Sequence, residues 1–120
     1  MIKSGSIRIK RVYELPSEDD GLRVLVDRLW PRGLKKSGSQ IDFWAKELAP
    51  TAELRKWFNH EEHKFSEFRL SYLKELSFKQ DIVRKIFEQA DNGTVTLLFA
   101  AADRSHNQAI ILQDFLKSNS

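Results

Sequence analysis

The chain has 120 residues, 41% of them hydrophobic and 11% aromatic, and carries a formal net charge of +3. This length fits one domain, and the composition is typical of a folded protein with a single core. Because cysteine is absent, disulfides, cysteine-ligated metals and thiol catalysis are excluded. No run of about 20 apolar residues predicts a membrane span, and residues 1–10 lack the apolar core of a secretory signal. We therefore expect a cytoplasmic protein.

The first third of the chain predicts two strands and two irregular segments. Residues 7–13 alternate apolar and charged side chains, which is typical of a half-buried strand. Residues 14–21 contain proline and glycine and predict a loop. Residues 23–27 are a short β-branched run that ends in a charge, as in a strand buried on both faces. Residues 28–40 again hold proline and glycine, which predicts a long irregular segment.

The middle of the chain predicts helices. Apolar side chains recur at helical spacing in four successive segments: residues 41–48, 51–58, 61–76 and 82–90. Thr51 is expected to cap the second segment. Asn92 and Gly93 are expected to end the fourth, because both residues tolerate left-handed geometry.

The last part of the chain completes an α/β pattern. Residues 94–100 are the strongest strand candidate, and Ser105 is expected to cap a final helix with an apolar face over residues 109–116. We expect a single domain over residues 1–120, with a core from about 7 to 117 and frayed termini. Its short, partly parallel sheet would be flanked by helices in a Rossmann-like three-layer arrangement.

Two polar clusters follow predicted strands. Residues 27–33 come directly after the second strand, and residues 103–108 come after the third. Ligands of open α/β sheets bind outside the carboxyl ends of the strands. If these two strands are neighbours in one parallel sheet, both clusters face the same crevice.

The residue types in these clusters predict an anion-binding crevice. Arg28 and Arg32 carry planar guanidinium groups, which suit carboxylate or phosphate. Arg55 could reach the same crevice or lie on a helix surface. Backbone amides near His106 and Asn107, at the start of the last helix, would add donors and a favourable dipole.

The same crevice holds candidates for acid–base chemistry. His106 is a candidate general acid or base. Asp27 or Asp103 could orient its ring, although Asp103 could equally be a turn residue. Asn107 could hold a substrate carbonyl or an oxyanion.

His60 is a further candidate ligand-binding residue, because it follows an aromatic pair in a loop-like position. The His60–His63 spacing lacks the i, i+4 pairing of a zinc motif, so no metal and no cofactor is predicted. Structural alternatives stay open for other residues. Asp27 and Arg28 could form buried ion pairs that tie the following loop to the sheet. Trp30 could be a core residue rather than a stacking platform.

Three blocks of sequence, residues 23–33, 49–60 and 93–109, carry a family resemblance. Together they resemble the YeaO-like branch of family 488 of the domains of unknown function, over nearly the whole chain. The resemblance implies a small bacterial or archaeal cytoplasmic protein with an α/β fold and no assigned reaction. The wider family often carries Cys-His-Arg where this chain has Ser105, His106 and Asn107, so a thiol mechanism is not implied.

These observations lead to three hypotheses. In the first, the crevice takes a small anionic ligand, a phosphorylated or nucleotide-like molecule, and the protein is an enzyme that acts on it. The alternative is a non-catalytic module for nucleic acid or a protein partner, which predicts a contiguous basic face. Charges of both signs are mixed along the chain, so nucleic acid is weakly supported. In the third, the motifs hold the 28–40 loop and serve a homodimer.

Overall fold

A parallel sheet lies at the centre of the computed structural model, which describes residues 6–119. Its strands are β1 (Ile7–Arg11), β2 (Leu22–Leu25), β3 (Phe43–Trp44) and β4 (Val95–Phe99). Their order across the sheet is β1-β4-β2-β3, and every one of these pairings is parallel. β4 therefore lies between two neighbours, and all of its residues are buried. The predicted α/β class is confirmed.

Three α-helices lie between β3 and β4, and a fourth follows β4. They are α1 (Ala52–Phe58), α2 (Phe65–Leu76), α3 (Gln80–Ala90) and α4 (Gln108–Ser118). Three short 3-10 helices add single turns at Glu18–Asp20, Lys46–Leu48 and Glu62–Lys64. The helices predicted in the middle of the chain and at its end are present, except the first. α2 begins a few residues later than predicted because the 3-10 turn precedes it.

The two faces of the sheet are covered in different ways. On one face, Val24 and Leu97 lie opposite each other and join a core to which all four helices contribute. The largest buried helix side chains there are Phe58, Phe68, Tyr72, Ile86 and Leu112. On the other face, Leu25 and Leu98 pack against Trp30 of the irregular segment. The described residues place no helix on that face, so irregular chain forms the third layer.

The helix predicted over residues 41–48 is wrong. Trp44 belongs to β3, and only Lys46–Leu48 turn, as a 3-10 helix. The Trp44 ring packs edge-on against Trp30 at 5.4 Å, and its Nε1 donates to the Asp27 carbonyl at 2.8 Å. Pairing with β2 and this aromatic contact outweigh a short apolar pattern, which does not distinguish a strand from a helix.

Helix caps follow the prediction at one site and depart from it at another. Thr51 caps α1 as predicted. Asn107, and not Ser105, caps α4, because its Oδ1 accepts from the Ile110 amide at 3.1 Å. The Ser105 amide instead donates to the Asp103 carboxylate at 2.8 Å, which extends the turn before the helix.

The ends of the domain are partly described. Ser118 is the last residue of α4. Asn119 follows it, and its side chain donates to the Phe115 carbonyl at 2.7 Å. Residues 1–5 and 120, which were predicted to fray, lie outside the described residues.

A buried charge cluster ties the irregular segment to β2. Asp20 and Arg23 are 2% and 4% exposed, and the Asp20 carboxylate accepts from Arg23 at 2.5 Å and from Lys10 at 3.1 Å. Arg23 also donates to the Gln40 carbonyl at 2.7 Å. Burial by itself would raise the pKa of Asp20, but the Ser17 amide and the two cations hold that pKa below its ordinary value.

We predict that Asp20→Ala lowers the free energy of unfolding by about 3–5 kcal/mol, because the buried Arg23 charge then loses its carboxylate. Denaturant unfolding measures this loss. The control is Asp81→Ala, which removes an exposed pair with Arg84 and should change stability little. Similar losses for both variants would contradict a special role for the buried cluster.

Candidate functional site

The two polar clusters meet at one edge of the sheet. β2 and β4 are parallel neighbours, so the residues that follow them emerge side by side. Asp27, just beyond β2, accepts from the Ala100 amide at 3.0 Å through Oδ2. Its Oδ1 accepts from the Gln108 side chain at 2.5 Å. The neighbour relation that the crevice hypothesis required is therefore confirmed.

A cleft of about 730 Å³ opens at this edge. Its polar lining comes from three parts of the chain: Asp27, Arg28 and Arg32 after β2, Arg55, Lys56 and His60 from α1 and its end, and His106, Asn107 and Gln108 before and in α4. All of the site residues predicted from sequence line this cleft except Asp103. Asp103 lies behind it, against His106.

The cleft concentrates positive charge. Arg28, Arg32, Arg55 and Lys56 all line it, and Asp27 is the one carboxylate in its described lining. Within residues 6–119, none of these four cations lies in an ion pair, whereas the structure pairs several cations elsewhere with carboxylates. An unneutralised group of guanidinium and ammonium groups in a concave site attracts anions.

Arg28 has a defined anchoring role. Its Nε donates to the Pro50 carbonyl at 3.0 Å and its Nη2 to the Ala49 carbonyl at 3.3 Å, directly before α1. The interpretation that Asp27 and Arg28 form buried ion pairs is wrong for the described residues, where neither side chain lies in an ion pair. Arg28 does tie two segments together, but through neutral carbonyl groups that leave its charge in the cleft.

Asp27 has a perturbed acidity. Burial raises its pKa from 3.8 to about 6, and this effect outweighs the bonds from Ala100 and Gln108 and the nearby Arg55 charge, which lower it. Asp27 therefore titrates close to neutral pH. A carboxyl of this kind in a cleft is a frequent feature of functional sites.

His106 is held between two carboxylates. Its Nδ1 lies 3.1 Å from Asp103 and its Nε2 lies 3.2 Å from Glu62, while its ring contacts the Phe65 ring edge-on at 5.3 Å. The Ser105 amide and the contacts to His106 lower the pKa of Asp103. The ring is thus fixed in orientation, and both of its nitrogens already face protein acceptors.

His60 and Asn107 differ in how much their side chains contact the rest of the protein. Asn59 and His60 are both left-handed, with φ of 48° and 55°, so the chain reverses sharply at the end of α1. His60 is exposed at the rim of the cleft, 6.2 Å from the Phe58 ring between centroids. Asn107 is 3% exposed, and its side chain caps α4 and donates to the Asp103 carbonyl at 2.9 Å.

The structure adds three residues that sequence reasoning did not select for the site. Lys56 follows Arg55 and lines the cleft, Gln108 bonds Asp27, and Glu62 contacts His106. Of these three residues, only Gln108 could have been selected from the sequence, because it is a polar residue at the start of a helix that follows a strand. Among the described residues there is no group of three or more side chains suited to holding a metal ion. No helix there is long and apolar enough to cross a membrane.

We predict that Asp27→Asn changes the pH dependence of stability. The folded state binds the Asp27 proton more tightly than the unfolded state, so this stability is present near pH 4 and lost as the pH rises through about 6. The variant should match the parent near pH 4 and exceed it at pH 7 by roughly 2–3 kcal/mol. Denaturant unfolding at both pH values measures this. A difference that does not change with pH would contradict the shifted pKa.

Comparisons with known proteins identify the family of this chain. Residues 6–120 match a family described as the inactive DUF488-N3 subclade. The uncharacterised protein YeaO of Escherichia coli (strain K12) is 42% identical over 113 residues, 94% of this chain and 98% of YeaO. The uncharacterised protein Rv3073c of Mycobacterium tuberculosis is 45% identical over 116 residues, 97% of this chain and 98% of its own length. No solved structure matches. The resemblance to the YeaO-like branch is confirmed, and the chain belongs to the inactive DUF488-N3 subclade.

Proposed function

We propose that this protein binds a phosphorylated or nucleotide-like small molecule in the cleft and does not turn it over. The observation that supports this proposal is the charge of the described lining. Its cations are Arg28, Arg32, Arg55 and Lys56, and its one carboxylate is Asp27. Guanidinium groups match phosphate oxygens in geometry as well as in charge. A ligand with two or more negative charges would neutralise most of this excess.

The size of the cleft favours a ligand larger than inorganic phosphate. Its volume of about 730 Å³ falls within the range of roughly 300–1,000 Å³ typical of small-molecule sites. Apolar surface from Phe58, Phe68 and Pro31 also lines it. A phosphate group with an attached sugar or base would use both the charged and the apolar parts.

Three observations favour binding over catalysis. The chain has no cysteine to act as a nucleophile. His106 has carboxylates at both ring nitrogens, so neither nitrogen is left for a substrate proton. The family to which the chain belongs is described as inactive. The enzymatic hypothesis would need His106 to leave one of its carboxylates.

The surface outside the cleft gives less support to nucleic-acid binding. Several exposed cations there are paired with carboxylates, as in Arg69 with Asp114 and Arg104 with Glu14. Nucleic-acid modules usually present an unbroken basic face instead. Phosphorylated metabolites are abundant in the cytoplasm, which is the compartment that this proposal implies.

A thermal-shift screen tests the proposal. The probes are inorganic phosphate, pyrophosphate, ribose 5-phosphate, AMP, ADP and a short DNA duplex. A ligand at 100 times its Kd stabilises the protein by about 2.7 kcal/mol, which moves the midpoint by several degrees. We expect shifts with the phosphorylated small molecules.

Two variants locate the site. Arg32→Ala removes an exposed cleft guanidinium whose side chain makes no hydrogen bond to the described residues, so affinity should fall about tenfold with little effect on stability. Lys35→Ala, an exposed cation of the same loop outside the cleft lining, should leave affinity unchanged. Equal losses in both variants, or a shift with DNA alone, would contradict the proposal.

A parallel assay with p-nitrophenyl phosphate tests the claim that turnover is absent. We expect no hydrolysis above the buffer rate. Hydrolysis that His106→Ala abolishes would instead establish an enzyme.

A further inference from the structure

Asp27 is the one carboxylate among the described residues that line a cleft with four cationic side chains. It is half-buried, and both of its oxygens accept bonds from the protein, from the Ala100 amide and the Gln108 side chain. An anion that enters this cleft must therefore lie near a second negative charge whenever Asp27 is ionised. The inference drawn from this arrangement rests on the proposed function.

Charged and titratable side chains from several elements lie around Asp27. Arg55 of α1 lowers the pKa of Asp27, and the Asp27 charge in turn raises the pKa of buried Tyr72 in α2. Arg28 is its chain neighbour, and Arg32, Lys56, His60 and His106 also line the cleft. Histidine is an acid–base group in general, so any test must separate the contribution of these two histidines from that of Asp27.

Electrostatics then fixes the direction of the coupling. A bound anion repels the ionised carboxylate but not the neutral one, so binding favours protonation. By linkage, protonation of Asp27 must strengthen anion binding by the same factor. A neutral carboxyl also gains an O–H donor, which can serve an anion oxygen. Because the pKa of Asp27 is about 6, this exchange falls in an accessible pH range.

We infer that Asp27 takes up a proton from solvent when an anion enters the cleft, and that it thereby selects anionic ligands more strongly at acid than at neutral pH. Asp27 is then a specificity-determining residue. The ionised carboxylate weakens anion binding by repulsion, and the neutral carboxyl does not. The proton comes from water or buffer and stays on the carboxyl while the anion is bound.

Isothermal titration with sulfate tests this coupling. Sulfate is chosen because it stays a dianion across the range used, whereas phosphate esters titrate near pH 6 themselves. Ionic strength is held constant, since screening would otherwise vary. We expect sulfate affinity to rise about tenfold between pH 7.5 and pH 5. Titrations in buffers of different ionisation enthalpy should show net proton uptake on binding at pH 7.

Three variants separate the contribution of Asp27 to the pH dependence of binding from that of the other titratable groups. Asp27→Asn should bind sulfate at pH 7.5 about as tightly as the parent does at pH 5, and its proton uptake on binding should fall. His60→Gln keeps Asp27 and should leave the pH slope of the affinity in place. Gln108→Ala keeps the carboxyl but removes a donor that favours its ionised form. The pH midpoint of the affinity change should therefore move to a higher pH, an effect that a purely structural role would not produce.

The outcomes distinguish this inference from the function on which it rests. If neither sulfate nor the phosphorylated probes bind the parent or Asp27→Asn at any pH, the proposed function fails and the inference falls with it. If sulfate binds, but Asp27→Asn keeps the parent pH slope or binds more weakly at pH 7.5, only the inference fails. Should Asp27→Asn not fold, an unmoved midpoint in Gln108→Ala overturns it.

Discussion

The parallel pairing of β2 with β4 is the constraint on which the rest of the molecule depends. It brings together the ends of two strands that are about 70 residues apart in the chain. Asp27 completes this junction, because its carboxylate accepts from the Ala100 amide after β4 and from Gln108 at the start of α4. The Asp27 side chain therefore links the ends of β2 and β4 and also lines the cleft. The same hydrogen bonds support both the fold and the candidate site.

The irregular segment after β2 makes the second face of the sheet possible. A parallel sheet needs cover on both faces, and here the described helices all pack on one. Trp30 and Trp44 supply the apolar cover on the other face, while Arg23 binds the Gln40 carbonyl from within the sheet. Segments of this length without regular structure are more often functional than structural. This one packs on the sheet through Trp30 and also carries Arg28 and Arg32 to the lining of the cleft.

Charge distribution separates the cleft from the remaining surface. Elsewhere the described cations often meet carboxylates, and such exposed pairs contribute little to stability. In the cleft, four cations line the same surface as one half-buried carboxylate, Asp27, and none of the four lies in an ion pair within residues 6–119. Burial makes the ionised form of Asp27 unfavourable, and this effect outweighs the favourable charge of Arg55.

The sequence by itself determined the α/β class, the family, the three main strands and the two polar clusters, because periodicity and local chemistry carry that information. It also led to Arg28, Arg32, Arg55 and His106 as candidates. Only the tertiary structure decided that the clusters meet, since strand order is a property of long-range pairing. It also decided that Trp44 is in a strand, that Asn107 caps α4, and that Arg28 donates to carbonyl groups rather than to a carboxylate. Each of these depends on which distant group lies within hydrogen-bond or packing distance, and no local pattern encodes that distance.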